Sequence, residues 1–281
     1  MSYVAFSTAL VLGLPGSILA LIPLSRMPLK PSTLYIQLLA ASDFASLLTA
    51  SLVYYKIVGQ KDMTDQDNLI KWFGRTFQCF SHWLLVLICL ERYVAVRFPL
   101  QKARLYTMQN TSLTCLAVFS LSLVHFVLFA ITFIESLKIW NLMFFIIIVF
   151  LSVYIFVPML LITLFTTLTA VEMRRSRRRR QTIVTTVGSS SASKLEAEIT
   201  RIMFLTALFF VILTLPMLAY HLYDRIDYYW LHTETCPFYK AVDFFVFYAS
   251  ASLSYFNHAV NFFIYMFGAP GFRQQFLSYF C

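Results

Sequence analysis

Apolar residues gather along this chain in seven long runs separated by short polar breaks: Tyr3–Leu24, Leu34–Val53, Leu69–Leu90, Leu113–Phe133, Leu142–Val171, Ile199–Tyr223 and Val242–Phe267. None alternates with a period of two, as the strands of a lipid-facing barrel do. Each reaches the roughly 20 residues that a helix needs to cross the hydrocarbon core. In lipid only helices and closed barrels satisfy every backbone group. The pattern predicts an all-α membrane protein, one domain over 1–281 folded as a seven-transmembrane helix bundle. After the last run Gly268 and Pro270 stop the helix, and Phe272, Phe276 and Tyr279 recur at helical spacing. That spacing predicts a short amphipathic interfacial helix at about 270–280.

The breaks carry information too. The third cytoplasmic loop, expected at about 173–196, opens on a run of arginines, Arg174, Arg175 and Arg177 to Arg180, and continues into the serine-rich stretch Ser189–Ser193. Beside a membrane helix such arginines meet anionic lipid headgroups, and the serines have linker composition. Pro158 and Pro216 fall inside the fifth and sixth runs, where each removes an i→i−4 hydrogen bond and kinks its helix. Two kinked helices flanking the longest loop predict a part that swings. No internal repeat supports an inverted-repeat transporter.

Composition agrees: 281 residues are 59% hydrophobic and 12% charged, where soluble domains carry about 25% charged residues. Most of the 22 basic residues lie in the inner loops and tail, among them Arg26, Lys30, Arg92, Arg97, Lys102, Arg104, Arg201 and Arg273. The positive-inside rule therefore puts the N-terminus outside and the C-terminus in the cytoplasm, as expected of a multi-pass plasma-membrane protein. The net charge of +9 belongs to that inner face and implies no nucleic-acid partner. No basic n-region precedes the first run, which is expected to insert as a signal anchor. Outside, Asp62, Asp65, Asp67, Asp224, Asp227 and Asp243 favour a basic ligand by their field, or else simply solvate loop ends. Cys79, Cys89 and Cys115 lie inside runs, Cys236 near the outer side and Cys281 at the end, so no disulfide framework is implied.

Polar groups inside the runs are the candidates for chemistry, because a lone charge at mid-bilayer is costly. Asp43 sits in the second run. Ser81 lies about three turns before Arg92, and Asn257 and Asn261 stand one turn apart in the seventh run. A carboxylate, a hydroxyl and two amides make an oxygen-rich pocket suited to waters or a small cation such as Na⁺; the competing reading is polar glue between helices. At the inner end of the third run stand Glu91, Arg92 and Tyr93. Arg92 either snorkels to the interface or works as a switch, with Glu91 beside it and Glu196 across from it. Glu196 lies twenty residues before Pro216, about 30 Å at 1.5 Å per residue, hence at the same inner face. Tyr265 is the candidate to fill the space when Arg92 is exposed. Gln78, Tyr220, His221 and Tyr248 are the expected lining of an outer ligand pocket. His82 and His258 stand alone and read as core. Paired aspartates, H-E-x-x-H and a helix-placed Ser/His pair are all missing, which speaks against an intramembrane enzyme.

Several of these residues fall in a familiar order. Leu39, Ala40 and Asp43, then Glu91-Arg92-Tyr93 with Pro99-Leu100, Pro158, Pro216, Asn261-Phe262-Phe263-Ile264-Tyr265 and Phe272-Arg273 together resemble the rhodopsin-type G-protein-coupled receptors, most like invertebrate neuropeptide receptors. The resemblance implies binding of an extracellular peptide or small ligand and activation of a heterotrimeric G protein, with no cofactor beyond a bound sodium ion. A receptor-shaped protein that does not signal and a small transporter are the alternatives. The departures are specific. Gly16-Ser17 replaces Gly-Asn, Phe262 replaces the seventh-helix proline, and Leu213-Thr214-Leu215-Pro216 replaces C-W-x-P, leaving Phe210 as the candidate packing switch. Asp67 stands where the family has its outer cysteine, so the family's loop-to-helix disulfide is not expected. Gly74 stands where aminergic receptors have an aspartate, and Tyr255 where opsins have their lysine, which argues against both ligand classes.

Overall fold

The computed structural model describes residues 2–26, 28–58, 65–132, 152–183, 191–227, 236–268 and 270–278, and among them no strand occurs. The helices are α1 (Ser2–Arg26), α2 (Pro31–Val58), α3 (Asp65–Arg97), a short α4 (Pro99–Leu105) and α5 (Met108–Thr132). A π turn (Ser152–Phe156) leads into α6 (Val157–Ile183), followed by α7 (Ser191–Ile226), α8 (Pro237–Gly268) and a short α9 (Pro270–Leu277). Six carry apolar windows long enough to cross a membrane: Phe6–Arg26, Pro31–Lys56, Leu69–Arg97, Met108–Val127, Val153–Ser176 and Thr200–Asp224. The seventh long helix, α8, has its apolar run diluted by Ser250, Ser252, Ser254, Asn257, His258 and Asn261, all of them buried. It therefore turns its polar side to its neighbours and its Phe244, Phe245 and Val246 outward.

The third helix is the axis of the bundle. Of its apolar window 61% is buried, against 17% for that of α5, which exposes Leu113, Leu116, Leu121 and Val124. In water so much exposed apolar surface would be an association hazard; against lipid tails it costs nothing. Around α3 the core joins Leu84, Leu85, Ile88 and Cys89 to Ile162 of α6 and to Met203, Ala207 and Phe210 of α7.

On the other side α1, α2 and α8 come together because Gly13 has no side chain. A Cβ there would lie 2.8 Å from the Cβ of Ala259 and 2.8 Å from Leu47 Cδ1. Small residues that let helix backbones approach are the usual means of packing helices in membranes, where no hydrophobic force draws them together. Gly74 does the same for α3 against α2, where a Cβ would collide with the Thr49 side chain.

Some boundaries differ from the sequence pattern. The stretch expected as the third cytoplasmic loop begins and ends as helix: α6 continues through the arginine run to Ile183, and α7 starts at Ser191. Arginines suit the last turns of a helix, where cations face its negative dipole end. The interfacial helix spans Pro270–Leu277, with Pro270 at a first-turn position that needs no N–H. Its Phe272 is buried against Tyr265, ring centroids 5.7 Å apart, and Phe276 packs on Phe262, so this face seals the foot of α8. Tyr279, Cys281 and the outer loop at 134–141 lie outside the described residues.

Gly13→Ala should overpack this contact, because the Cβ of Ala259 cannot move without its backbone; the expected cost is about 1–3 kcal/mol. Thermal unfolding of the detergent-solubilised protein should show a lowered Tm. Gly16→Ala, whose added Cβ would meet Phe262 at 3.4 Å, should be nearly neutral. Equal melting of the two variants would mean that α1 does not approach α8 this closely.

Candidate functional site

A cavity of about 130 Å³ opens among α1, α2, α3, the π turn, α7 and α8 at their outer ends. Phe6, Val53, Met217 and Phe247 give it apolar walls, and Gln78, Tyr154, Tyr248 and Tyr255 give it polar ones. The Tyr154 hydroxyl donates to Gln78 Oε1, and Phe6 sets its edge against Tyr255 at 4.9 Å. Of the four lining residues expected from sequence, Gln78 and Tyr248 are in the wall. Tyr220 and His221 are not among its lining residues: Tyr220 packs behind Phe247 at 5.3 Å and donates to Asp243 at 3.2 Å.

The sign of the site's charge also departs from expectation. Lys71 and Arg75 line the cavity, and the described wall contains no aspartate or glutamate. Two of the outer acids that favoured a basic ligand are engaged elsewhere. Asp67 holds Lys56 Nζ at 2.5 Å, tying the outer ends of α2 and α3 at the position where the family has cysteine, and Asp243 receives Tyr220. Lys71 and Arg75 were not singled out from the sequence. Their spacing of four on one helical run was the signal that both face one way.

Below the cavity, Pro158 has no N–H to offer the Tyr154 carbonyl four residues back. His82 Nδ1 donates to that carbonyl at 2.9 Å, and Trp83 Nε1 donates to the neighbouring Val153 carbonyl at 3.2 Å. Two side chains of α3 thus occupy the irregular start of α6. The His82 ring meets Phe210 edge-on at 4.9 Å and stacks on His258, centroids 5.8 Å apart and planes 11° apart. All three rings are fully or almost fully buried. The two histidines are therefore a pair, not isolated core residues.

His258 leads to Asp43. Ser81 Oγ donates to Asp43 Oδ1 at 2.6 Å, His258 Nδ1 to the same oxygen at 2.7 Å, and Asn261 Nδ2 to Oδ2 at 2.5 Å. An ionised carboxylate only accepts, so His258 carries its proton on Nδ1. Asn257 makes none of these bonds, and its Oδ1 is buried without a partner among the described residues. Asn257 and His258 lie four and three residues before Asn261, and both spacings share a helix face. Spacing alone could not choose between them. The set is also not the oxygen cage that a hard cation such as Na⁺ takes. Three donors already converge on the carboxylate, one of them an imidazole N–H, while Asn257 Oδ1 and Asn261 Oδ1 stay buried without a partner among the described residues.

At the inner end Glu91 and Arg92 are both buried, with Arg92 Nη2 3.6 Å from Glu91 Oε1. Lys102 of α4 brings its Nζ to 3.5 Å from the same oxygen. Glu196, the expected partner across the bundle, lies on α7 with its side chain outside the described residues. Among the described residues at this end, Glu172 of α6 faces α3, 3.9 Å from Arg97 and 3.1 Å from Arg175. Tyr93 packs between Phe98 and Phe165. Burial, and then the charge of Glu91, push the Tyr106 phenol up to about 12, so it stays protonated beside this cluster. Leu39, Leu85, Ile88, Met203 and Tyr265 form an apolar layer around a void of about 10 Å³, separating Arg92 from the Asp43 centre.

The arrangement is that of a helical receptor: a cavity at one end, a buried polar centre at mid-membrane and a closed acid–base cluster at the other end. The chain matches the 7 transmembrane receptor (rhodopsin family) over residues 16–265 and belongs to that family, a family of multi-pass membrane receptors and not of enzymes. Among curated proteins, proteinase-activated receptor 1 of Papio hamadryas and that of Homo sapiens are each 29% identical to it over 125 residues. The matched stretch covers 42% of this chain and 29% of each relative's length.

His82→Phe should remove the bond to the Tyr154 carbonyl and cost about 1–3 kcal/mol, the range for stranding a buried polar group. In a Pro158→Ala background, where position 158 regains its N–H, the same substitution should cost less. Melting curves of the four proteins read the difference; an equal cost in both backgrounds would detach His82 from the proline.

Proposed function

We propose that the protein is a plasma-membrane receptor, N-terminus outside, that binds an extracellular peptide in the outer cavity and activates a heterotrimeric G protein at its inner face. The observation that carries this reading is the run of adjacent buried groups beneath the cavity. Gln78 and Tyr154 line it, His82 holds Tyr154, His258 stacks on His82, and Asp43 holds His258. A ligand that presses on Tyr154 acts on a group three contacts from the intramembrane carboxylate, and one that presses on Gln78 acts one contact further out. It shifts the bundle only to the extent that it binds one state better than the other.

In this reading Arg92, buried beside Glu91, belongs to the closed state, and the outward swing of α7 about Pro216 exposes it to the G protein. Tyr93 and Tyr265 flank that opening, and Glu196 on α7 is a further contact for Arg92 in the closed state. His258, rather than sodium, serves as the standing partner of Asp43. A neuropeptide is the ligand type that the sequence motifs favour.

Arg92→Ala should abolish nucleotide exchange on the G protein while surface expression stays near normal. Glu91→Gln should raise ligand-free exchange, because losing about 1 kcal/mol from the closed state moves a two-state balance about fivefold. Unchanged basal exchange in Glu91→Gln at equal expression would place the switch elsewhere.

Replacing sodium chloride by choline chloride should leave ligand-free activity unaltered. In His258→Ser, which trades the imidazole for a hydroxyl oxygen, sodium should begin to lower it. A wild-type protein that already responds to sodium would remove His258 from this role.

A further inference from the structure

We propose that the outer cavity is built to receive a carboxylate, the free C-terminus of a peptide ending in an apolar residue, and that Arg75 and Lys71 hold it. The proposal rests on the reading of this cavity as the ligand site and names the chemistry that the site selects.

Lys71 and Arg75 stand one helical turn apart on α3 and both line the cavity. Like charges at this spacing repel, and the charge that bears on Lys71 is the Arg75 guanidinium. Neither cation is paired with a carboxylate among the described residues. The acid placed to help, Asp67, lies four residues before Lys71 in a favourable order, yet it is committed to Lys56 at 2.5 Å. Asp243 is committed to Tyr220. Lys71 is exposed, as surface lysines and arginines ordinarily are. Arg75 is instead half-buried and acts electrostatically on the phenols of Tyr154 and Tyr255.

Two positive charges without a carboxylate in a wall otherwise made of uncharged groups concentrate a positive field in the space between them. An amine entering there would meet two like charges and no acid. A carboxylate would meet a planar fork that grips both of its oxygens and an ammonium that adds a second, movable charge. Phe6, Met217 and Phe247 offer an apolar surface for the last side chain. A space of about 130 Å³ suits the last residue of a peptide.

The test measures the field before any ligand is known. In a Cys236→Ser background, Ala251→Cys puts a thiol in the cavity wall, with Ser254→Cys as a second reporter site. Each is treated in membranes with a negatively charged sulfonatoethyl and a positively charged trimethylammonium-ethyl methanethiosulfonate. Relative to a free thiol in solution, the anionic reagent should gain about tenfold over the cationic one. The gain should vanish in Arg75→Gln and reverse in Arg75→Glu. A ratio equal to that of the free thiol, or one favouring the cation, overturns the proposal.

A second arm reads nucleotide exchange with peptide pairs identical except for a C-terminal acid or amide. Active peptides should be acids, with half-maximal concentrations at least tenfold higher in Arg75→Gln. A preference for the amide also overturns it. If no peptide activates in either form, the peptide-receptor reading fails, while the modification rates still decide the charge of the site.

Discussion

Asp43 is the constraint around which the bundle is organised. A carboxylate in the middle of a membrane is stable only if its lone pairs are met by protein donors. Here they come from α3 through Ser81 and from α8 through His258 and Asn261. One side chain of α2 thus fixes the rotation and depth of two other helices. Removing any donor leaves a buried charge less satisfied, so the three contacts stand or fall together. Gly13 and Gly74 serve the same end from the apolar side, since they let α1, α2, α3 and α8 come close enough for those bonds to form.

The irregular start of α6 couples this centre to the cavity. A regular helix keeps its carbonyls to itself. Pro158 leaves the Tyr154 carbonyl without its usual donor, and the π turn widens the backbone there. His82 fills the vacancy and so cannot move without α6 moving. On its other faces the same ring touches Phe210 of α7 and His258 of α8. Phe210, with no aromatic residue at the usual place nearer Pro216, is the large ring of α7 that bears on this junction.

The sequence made the helix count, the motif order and Asp43 legible because each depends on local pattern: run length, a proline, a charge in an apolar context. The pairing of His258 with Asp43 was not legible. Residues three and four positions from Asn261 share its face, and only the rotation of α8 within the bundle separates them. Lys71 and Arg75 stand in the sequence as charges but not as a cavity wall, because that depends on how α2, the π turn and α8 enclose a space beside α3. In the loop expected at 173–196 the serines had linker composition and the arginines a place at the lipid headgroups, yet arginines suit the last turns of a helix as well as a loop. Tyr220 was misplaced by one layer for a similar reason: the sequence shows that it faces the outer end of α7 but not that Phe247 stands in front of it.

Phe262 gives α8 a mechanical character that its relatives with proline do not share. With its N–H intact, the backbone ladder of α8 continues past Asn261, and the helix is unbroken from Pro237 to Gly268. Among the described residues, backbone irregularities lie instead at Pro15 and Pro23 of α1, at the π turn and Pro158 that begin α6, and at Pro216 inside α7. His82 holds the start of α6 and its ring touches Phe210 of α7, so bending at that junction belongs to those two helices. The pillar formed by α8, clasped to α1 at Gly13 and footed by the aromatic rings of α9, is the frame against which they move.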